Sequence, residues 1–78
     1  MAEPLYLYTT EHCELCDRAL QLLLDEPGLA GIRLVTVDVA ADDRLLERYG
    51  EAIPVLEWRE ATLSWPFDAG DLSAFLHT

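Results

Sequence analysis

Two cysteines, Cys13 and Cys16, stand between a short apolar and aromatic run, Leu5-Tyr6-Leu7-Tyr8, and a segment whose apolar residues recur at helical spacing. This junction limits the fold more than any other feature. The apolar run, followed by Thr9, Thr10 and a polar stretch, reads as a buried strand ending in a loop. From Glu14 to Asp25, the residues Cys16, Ala19, Leu20, Leu23 and Leu24 share one side, while Asp17, Arg18, Gln21 and Asp25 occupy the other. Pro27-Gly28 stops that helix. Ile32 to Val39 alternates and is rich in β-branched residues, so Leu34-Val35-Thr36-Val37 is the centre of a second strand. A helix between two such strands makes a right-handed crossover and sets them parallel.

In the second half, Asp42 or Asp43 caps a short helix that turns Leu45, Leu46 and Tyr49 inward and ends at Gly50. Ile53-Pro54-Val55-Leu56-Glu57-Trp58 and Thr62-Leu63-Ser64-Trp65 form a hairpin about Arg59-Glu60, a turn that lacks the Asn-Gly type of signal. Trp58 and Trp65 are residues that could line a substrate surface but read more simply as hairpin packing, and Tyr6, Tyr8 and Tyr49 read as core or half-buried. Asp68 caps a last helix whose Leu72, Phe75 and Leu76 form one apolar stripe. The order β-α-β-α-β-β-α, without linker, repeat or low-complexity segment, predicts one α/β domain over residues 1–78. Its core is a four-stranded mixed sheet flanked by helices.

Composition narrows the function. With 51% hydrophobic residues in a chain of 78, the sequence is that of a folded domain with a thin stability margin. A disulfide between Cys13 and Cys16 closes too small a loop to constrain much of the unfolded chain, so stapling does not account for the pair. Fifteen Asp and Glu stand against five Arg, lysine is absent, and the net charge is −10. Nucleic acid and anionic membrane are therefore not expected partners. The opening Met1-Ala2-Glu3-Pro4 lacks the basic start and apolar run of a signal peptide, and no apolar run approaches a membrane span. The expected compartment is the cytoplasm, where reducing conditions favour a catalytic or metal-binding use of closely spaced cysteines.

The position of the pair supplies the chemistry. Cβ atoms of residues three apart in a helical turn lie about 5 to 6 Å apart, close to disulfide geometry. Cys13, at the helix start, faces unpaired amides of the first turn, nominally those of Leu15 and Cys16, and the positive end of the helix dipole. Such placements lower a cysteine pKa from about 8.5 into a range of roughly 3.5 to 7.5. Cys16, one turn in on the apolar side, is the more buried. Cys13 is thus the nucleophile that attacks a substrate disulfide, and Cys16 the thiol that resolves the mixed disulfide. Glu11, Glu14 and Asp17 place negative charge around the thiol and oppose both a thiolate and an anionic substrate.

Tyr8 to Cys16, the Ile53-Pro54-Val55 segment and the element order together resemble glutaredoxin-like proteins of the thioredoxin fold, over nearly the whole chain. The resemblance implies a cis peptide before Pro54. It also implies a substrate wall made by Ile53 and Pro54 beside the cysteines, where the preceding backbone pairs with a bound substrate. Glutathione-using members carry a basic residue shortly before the first cysteine and a Gly-Gly followed by Asp near the last helix. Here Glu11-His12 precedes Cys13, and Ala69-Gly70-Asp71 stands at the later place, where Asp71 could match the residue that meets the glutathione amino group but reads more readily as a helix-terminal acid. His12 reads either as a cationic neighbour of the thiolate or as a solvated loop residue. The expectation is a monomeric oxidoreductase without a bound cofactor, acting on a disulfide-bearing protein or a small thiol substrate, with glutathione's place as co-substrate open. A redox-inert binding module of the same fold and a dimeric metal or cluster carrier are the alternatives.

Overall fold

The computed structural model describes residues 3–77. Met1 and Ala2, part of the stretch read above for a leader, and Thr78 lie outside them. Strand β1 (Leu5–Thr9) leads to helix α1 (Glu14–Leu24), strand β2 (Leu34–Asp38), helix α2 (Asp43–Tyr49), the hairpin β3 (Val55–Trp58) and β4 (Ala61–Ser64), and helix α3 (Ala69–Leu76). The sheet order is β2-β1-β3-β4. β1 runs parallel to β2, with Leu5 opposite Leu34 and Thr9 opposite Asp38, and antiparallel to β3, with Tyr8 opposite Val55. The fold is therefore the mixed four-stranded α/β sheet that the element order predicts.

Strand alternation sorts the side chains into two cores. Leu5 and Leu7 of β1 and Leu56 and Trp58 of β3 join Ala19 and Leu23 of α1, Phe67, and Leu72, Phe75 and Leu76 of α3 in one buried cluster. On the other face Val39, Tyr49 and Val55 form a smaller cluster, with Tyr8, Leu45 and Ile53 packed against it. Trp58 is buried as expected of a hairpin residue, and its Nε1 donates to the Glu3 carbonyl at 3.2 Å.

Two inward expectations are corrected. Leu24 is 69% exposed and Leu46 48% exposed. Leu24 is the last residue of α1, and Leu46 sits mid-helix on α2, whose buried residue is Tyr49. Apolar spacing identified both helices but overstated the width of their packed faces. Asp42, rather than Asp43, caps α2, its Oδ1 accepting from the amides of Arg44 and Leu45 at 2.8 and 3.4 Å. The hairpin turn uses Arg59 and Glu60 at φ 51° and 68°, both in the left-handed region that a two-residue loop of the primed type requires. Arg59 folds its guanidinium over the Trp58 ring at 4.3 Å.

Candidate functional site

The chain leaves β1 at Thr9 and must turn sharply to enter α1 at Glu14. His12 makes the turn at φ 57°, a conformation His adopts more readily than most non-glycine residues. Cys13 follows in extended conformation (φ −105°, ψ 103°) as the N-cap of α1. Its Sγ accepts the Cys16 amide at 3.2 Å, which is the contact expected of a sulfur at a helix start. Cys13 and Cys16 are joined as a disulfide with Cα atoms 5.2 Å apart, inside the ordinary range for such a bond. Cys16 is 3% exposed whereas Cys13 is half-buried, so the two sulfurs differ in access as their positions predict.

Around the pair, Glu11, His12, Glu14 and Asp17 are exposed, and Leu15, between the cysteines, is 40% exposed. The immediate surface is thus acidic with one apolar side chain at its centre. Pro54 enters from β3. Since Val55 lies opposite Tyr8, Pro54 comes level with Thr9, at the end of the sheet from which the chain passes to Cys13. The Ile53-Pro54 peptide is cis, as the resemblance implies, and Pro54 is fully buried. The Ile53 amide donates to the Tyr49 carbonyl at 3.0 Å, and the Pro54 carbonyl accepts the Trp65 amide at 3.1 Å. This turn is therefore braced on one side by α2 and on the other by the chain leaving β4. The Trp65-Pro66 peptide is also cis.

Asp71 is a helix-terminal acid, the reading its residue type favours. It is the third residue of α3, and its carboxylate accepts the Asp68 amide at 3.1 Å while Asp68 accepts the Asp71 amide at 2.8 Å, a reciprocal capping box. Ala69-Gly70-Asp71 is the first turn of a helix. Of the residues picked from sequence, the structure joins Cys13 with Cys16, sets His12 beside them, and brings Ile53 and Pro54 to the same end of the sheet. Asp71 serves its own helix start.

Two groups lie outside the site residues chosen from sequence. Tyr8 stacks on Tyr49 at 4.4 Å and donates its hydroxyl to Glu57 at 3.0 Å. Burial first, then the hydrogen bond and charge of Glu57, push its phenol up to about 12, with Arg48 pulling the other way. The pairing of Tyr8 with Val55 makes Glu57 its diagonal cross-strand neighbour, a relation visible only once the register is known. Trp65, read as hairpin packing, lies just past β4, half-buried and edge-on to Phe67 at 5.0 Å, and walls a groove along α1. The proline after it, which has no amide hydrogen to donate to a strand ladder, is the sequence signal that the strand ends here. Among the described residues, no group of three or more His, Cys, Asp or Glu side chains could hold a metal ion. No helix among them is long and apolar enough to cross a membrane.

A parallel β1-α1-β2 unit joined to an antiparallel hairpin, with a cysteine pair opening α1 and a cis-proline opening β3, places the molecule among thioredoxin-fold proteins with a two-cysteine site. The chain belongs to the glutaredoxin-like domain family (DUF836), whose model matches residues 4–77. It is similar to target protein XcR50 of X. campestris, from the Northeast structural genomics programme. The X-ray structure of XcR50 is 35% identical with a TM-score of 0.82, over 94% of this chain and 95% of that one. Its solution structure gives 34% identity and a TM-score of 0.80, over 96% and 94%. No curated protein matches this chain.

Proposed function

We infer that the chain is a thiol-disulfide oxidoreductase in which Cys13 exchanges with a substrate disulfide and Cys16 resolves the adduct. The observation that carries this reading is the hydrogen bond from the Cys16 amide to Cys13 Sγ, because the same amide stabilises a thiolate on the more accessible sulfur. In the reduced protein, the Cys13 thiolate attacks one sulfur of the substrate disulfide. The Cys13–substrate bond forms, the substrate S–S bond breaks, and the departing thiolate takes a proton from water. Cys16 then loses its proton and attacks Cys13 Sγ, forming the Cys13–Cys16 disulfide and releasing the second substrate thiolate. The substrate gains two electrons and two protons, and the pair is oxidised to the form described above. An external dithiol, or two equivalents of a monothiol, reverses the exchange and restores the pair.

Ile53 and Pro54 form the wall against which a substrate backbone lies, and since the Ile53 amide is held by Tyr49, its carbonyl is the group that meets the substrate. The exposed carboxylates of Glu11, Glu14 and Asp17 select against anionic disulfides, so a protein disulfide is a better substrate than a glutathione mixed disulfide. No bound cofactor is needed, and the setting is the reducing cytoplasm with the protein as a monomer. The test is a Cys16→Ser variant incubated with disulfide-bearing proteins. A covalent adduct on Cys13, released by a dithiol, is expected, and Cys13→Ser should give none. Absence of the adduct, with partner binding retained by Cys13→Ser, would establish a redox-inert binding module instead.

A further inference from the structure

The turn that carries Ile53 and Pro54 is anchored on a single residue of α2. Tyr49, the last residue of that helix, accepts the amides of Ala52 at 2.8 Å and Ile53 at 3.0 Å on its one carbonyl oxygen. Its ring is 8% exposed and stacks on Tyr8 at 4.4 Å, with the planes 22° apart. Tyr8 lies five positions before Cys13 on β1 and opposite Val55, the residue after Pro54. Backbone and ring of Tyr49 thus join the turn that presents the proline to the strand that leads to the cysteines.

The turn needs such an anchor because it has no ladder of its own. β1 and β3 are fixed to each other by strand pairing at Tyr8 and Val55, but residues 50–53 lie outside every strand and beyond α2. The chain leaves α2 through Gly50, whose amide donates to the Leu46 carbonyl at 2.8 Å, and a Cβ there would collide with that same oxygen. Ile53 then packs its side chain against the small cluster of Val39, Tyr49 and Val55. The Ile53 backbone therefore sits where the carbonyl and ring of Tyr49 put it. An aliphatic side chain at this position would fill the space, but a stacked aromatic pair also fixes the direction of the ring and of the main chain behind it.

The two halves of the site are supported from opposite faces of the sheet. α1, which opens at the cysteines, packs with Leu5, Leu7 and Leu56 in the larger core, whereas Tyr49 and Tyr8 belong to the cluster on the other face. A change at Tyr49 reaches the Ile53 backbone without passing through the cap of α1. We propose that Tyr49 is a positioning residue of the exchange site: through its stack on Tyr8 and its bonds to Ala52 and Ile53, it sets where the Ile53 backbone meets a substrate segment, while touching neither substrate nor sulfur. A backbone contact made equally before and during exchange acts on KM and leaves kcat unchanged. A small disulfide, with no backbone to lay against Ile53, is blind to the position of that wall.

The role rests on the redox reading of Cys13 and Cys16 and is tested apart from it. The whole protein and its Tyr49→Leu, Tyr49→Phe, Tyr8→Leu and Tyr8→Leu/Tyr49→Leu variants are compared at a temperature where circular dichroism shows each folded. The substrates are a disulfide-linked peptide and hydroxyethyl disulfide, and alkylation of Cys13 by iodoacetamide reports the thiolate alone. Tyr49→Leu should raise the peptide KM about tenfold, equivalent to about 1.4 kcal/mol, with kcat, small-disulfide turnover and alkylation within about twofold of the parent. Tyr49→Phe, which keeps both the stack and the carbonyl, should restore the parental KM. Tyr8→Leu should raise KM by a similar factor, and the double variant should be no worse than either single one, because both remove the same stack. Where Tyr49→Leu does not fold, Tyr8→Leu, at a half-buried position, carries the same expectation. An unchanged peptide KM in the folded Leu variants, additive losses in the double, or an equal fall in small-disulfide turnover would overturn the role of Tyr49 and leave the redox reading intact. Turnover of neither substrate by the parent protein would remove both.

Discussion

At the start of α3 a carboxylate from Asp68 accepts the amide of the third helical residue at 2.8 Å, and at the start of α1 the sulfur of Cys13 accepts the corresponding amide at 3.2 Å. The two caps occupy equivalent places and differ in what they can become. A carboxylate is an anionic acceptor whatever the state of the cysteines, and Asp71 returns a bond to the Asp68 amide at 3.1 Å. A disulfide sulfur is a weak neutral acceptor, yet the same atom as a thiolate is a charged one at the positive end of a helix. α3 therefore has a constant cap and α1 a variable one, strengthened when the pair is reduced. The contrast teaches that α1 gives up some helix-start stability in the oxidised protein, and on the proposed redox reading it does so for an atom that leaves the cap, attacks and returns.

Transferring the α3 solution to α1 is the most severe way to break this comparison. Cys13→Asp should reduce exchange to the uncatalysed background, measured with a small disulfide. The same variant should be more stable than Cys13→Ala by about 1 kcal/mol, a rise in thermal midpoint of roughly 4–8 °C for a domain of this size. If Cys13→Asp and Cys13→Ala melt together, the Cys13 position does not cap α1 and the comparison fails.

A smaller effect concerns how α1 is entered. His12 holds the left-handed region at φ 57°, where a side chain with a Cβ costs on the order of 1–2 kcal/mol and a β-branched one more. His12→Val should lower stability in urea by about 1–2 kcal/mol, whereas His12→Gly should keep the fold and the Cys13 cap. Comparing exchange rates of the two variants sharpens the role of the imidazole. Equal loss in both assigns it to the ring, and loss in His12→Val alone assigns it to the backbone.

At the constant cap, Asp68→Ala should cost about 1 kcal/mol, read as a lower urea midpoint with an unchanged slope. Because Asp68 and Asp71 satisfy each other's amides, the double variant should cost less than the sum of the single ones. Additive losses would show that the box does not act as a unit.

These positions also show what the sequence made legible. Strand β1, the cysteine pair and the start of α1 were readable because period, polarity and the first-turn geometry change together within a few residues. Asp68 was readable as a cap because caps are local chemistry. Asp71 was legible as a helix-terminal acid beside that cap, but its return bond to the Asp68 amide depends on a helix start one residue past Asp68, below the precision with which sequence sets a boundary. The exposure of Leu24 and Leu46 was hidden because a helical stripe records which residues could face a sheet, not how far that sheet extends. The turn at Arg59-Glu60 has the length of a tight hairpin but not its usual residues, so its left-handed conformation came into view only with the paired strands. For Trp65 sequence left packing and substrate surface side by side, because its bond to the Pro54 carbonyl depends on a chain contact eleven residues away.

The last contrast is between helix ends rather than starts. α1 is tied at its beginning by the Cys13–Cys16 disulfide and its sulfur cap, whereas α2 is tied at its end by Tyr49 stacked on Tyr8, whose hydroxyl is held by Glu57. Burial and Glu57 raise the Tyr8 phenol from about 10 to about 12, so above pH 10 the unfolded chain gives up that proton while the folded chain keeps it. The folded state then binds more protons than the unfolded one, and stability falls as pH rises from about 10 toward about 12, having been fully present below 10. Absorbance of ionised tyrosine should show one of the three residues titrating late, and Tyr8→Phe should remove that phase and flatten the alkaline fall in the urea midpoint. Glu57→Gln should move the late phase downward without abolishing it, because burial, the largest cause, remains. A late phase that survives Tyr8→Phe would assign the tie to another tyrosine and undo the contrast between the two helices.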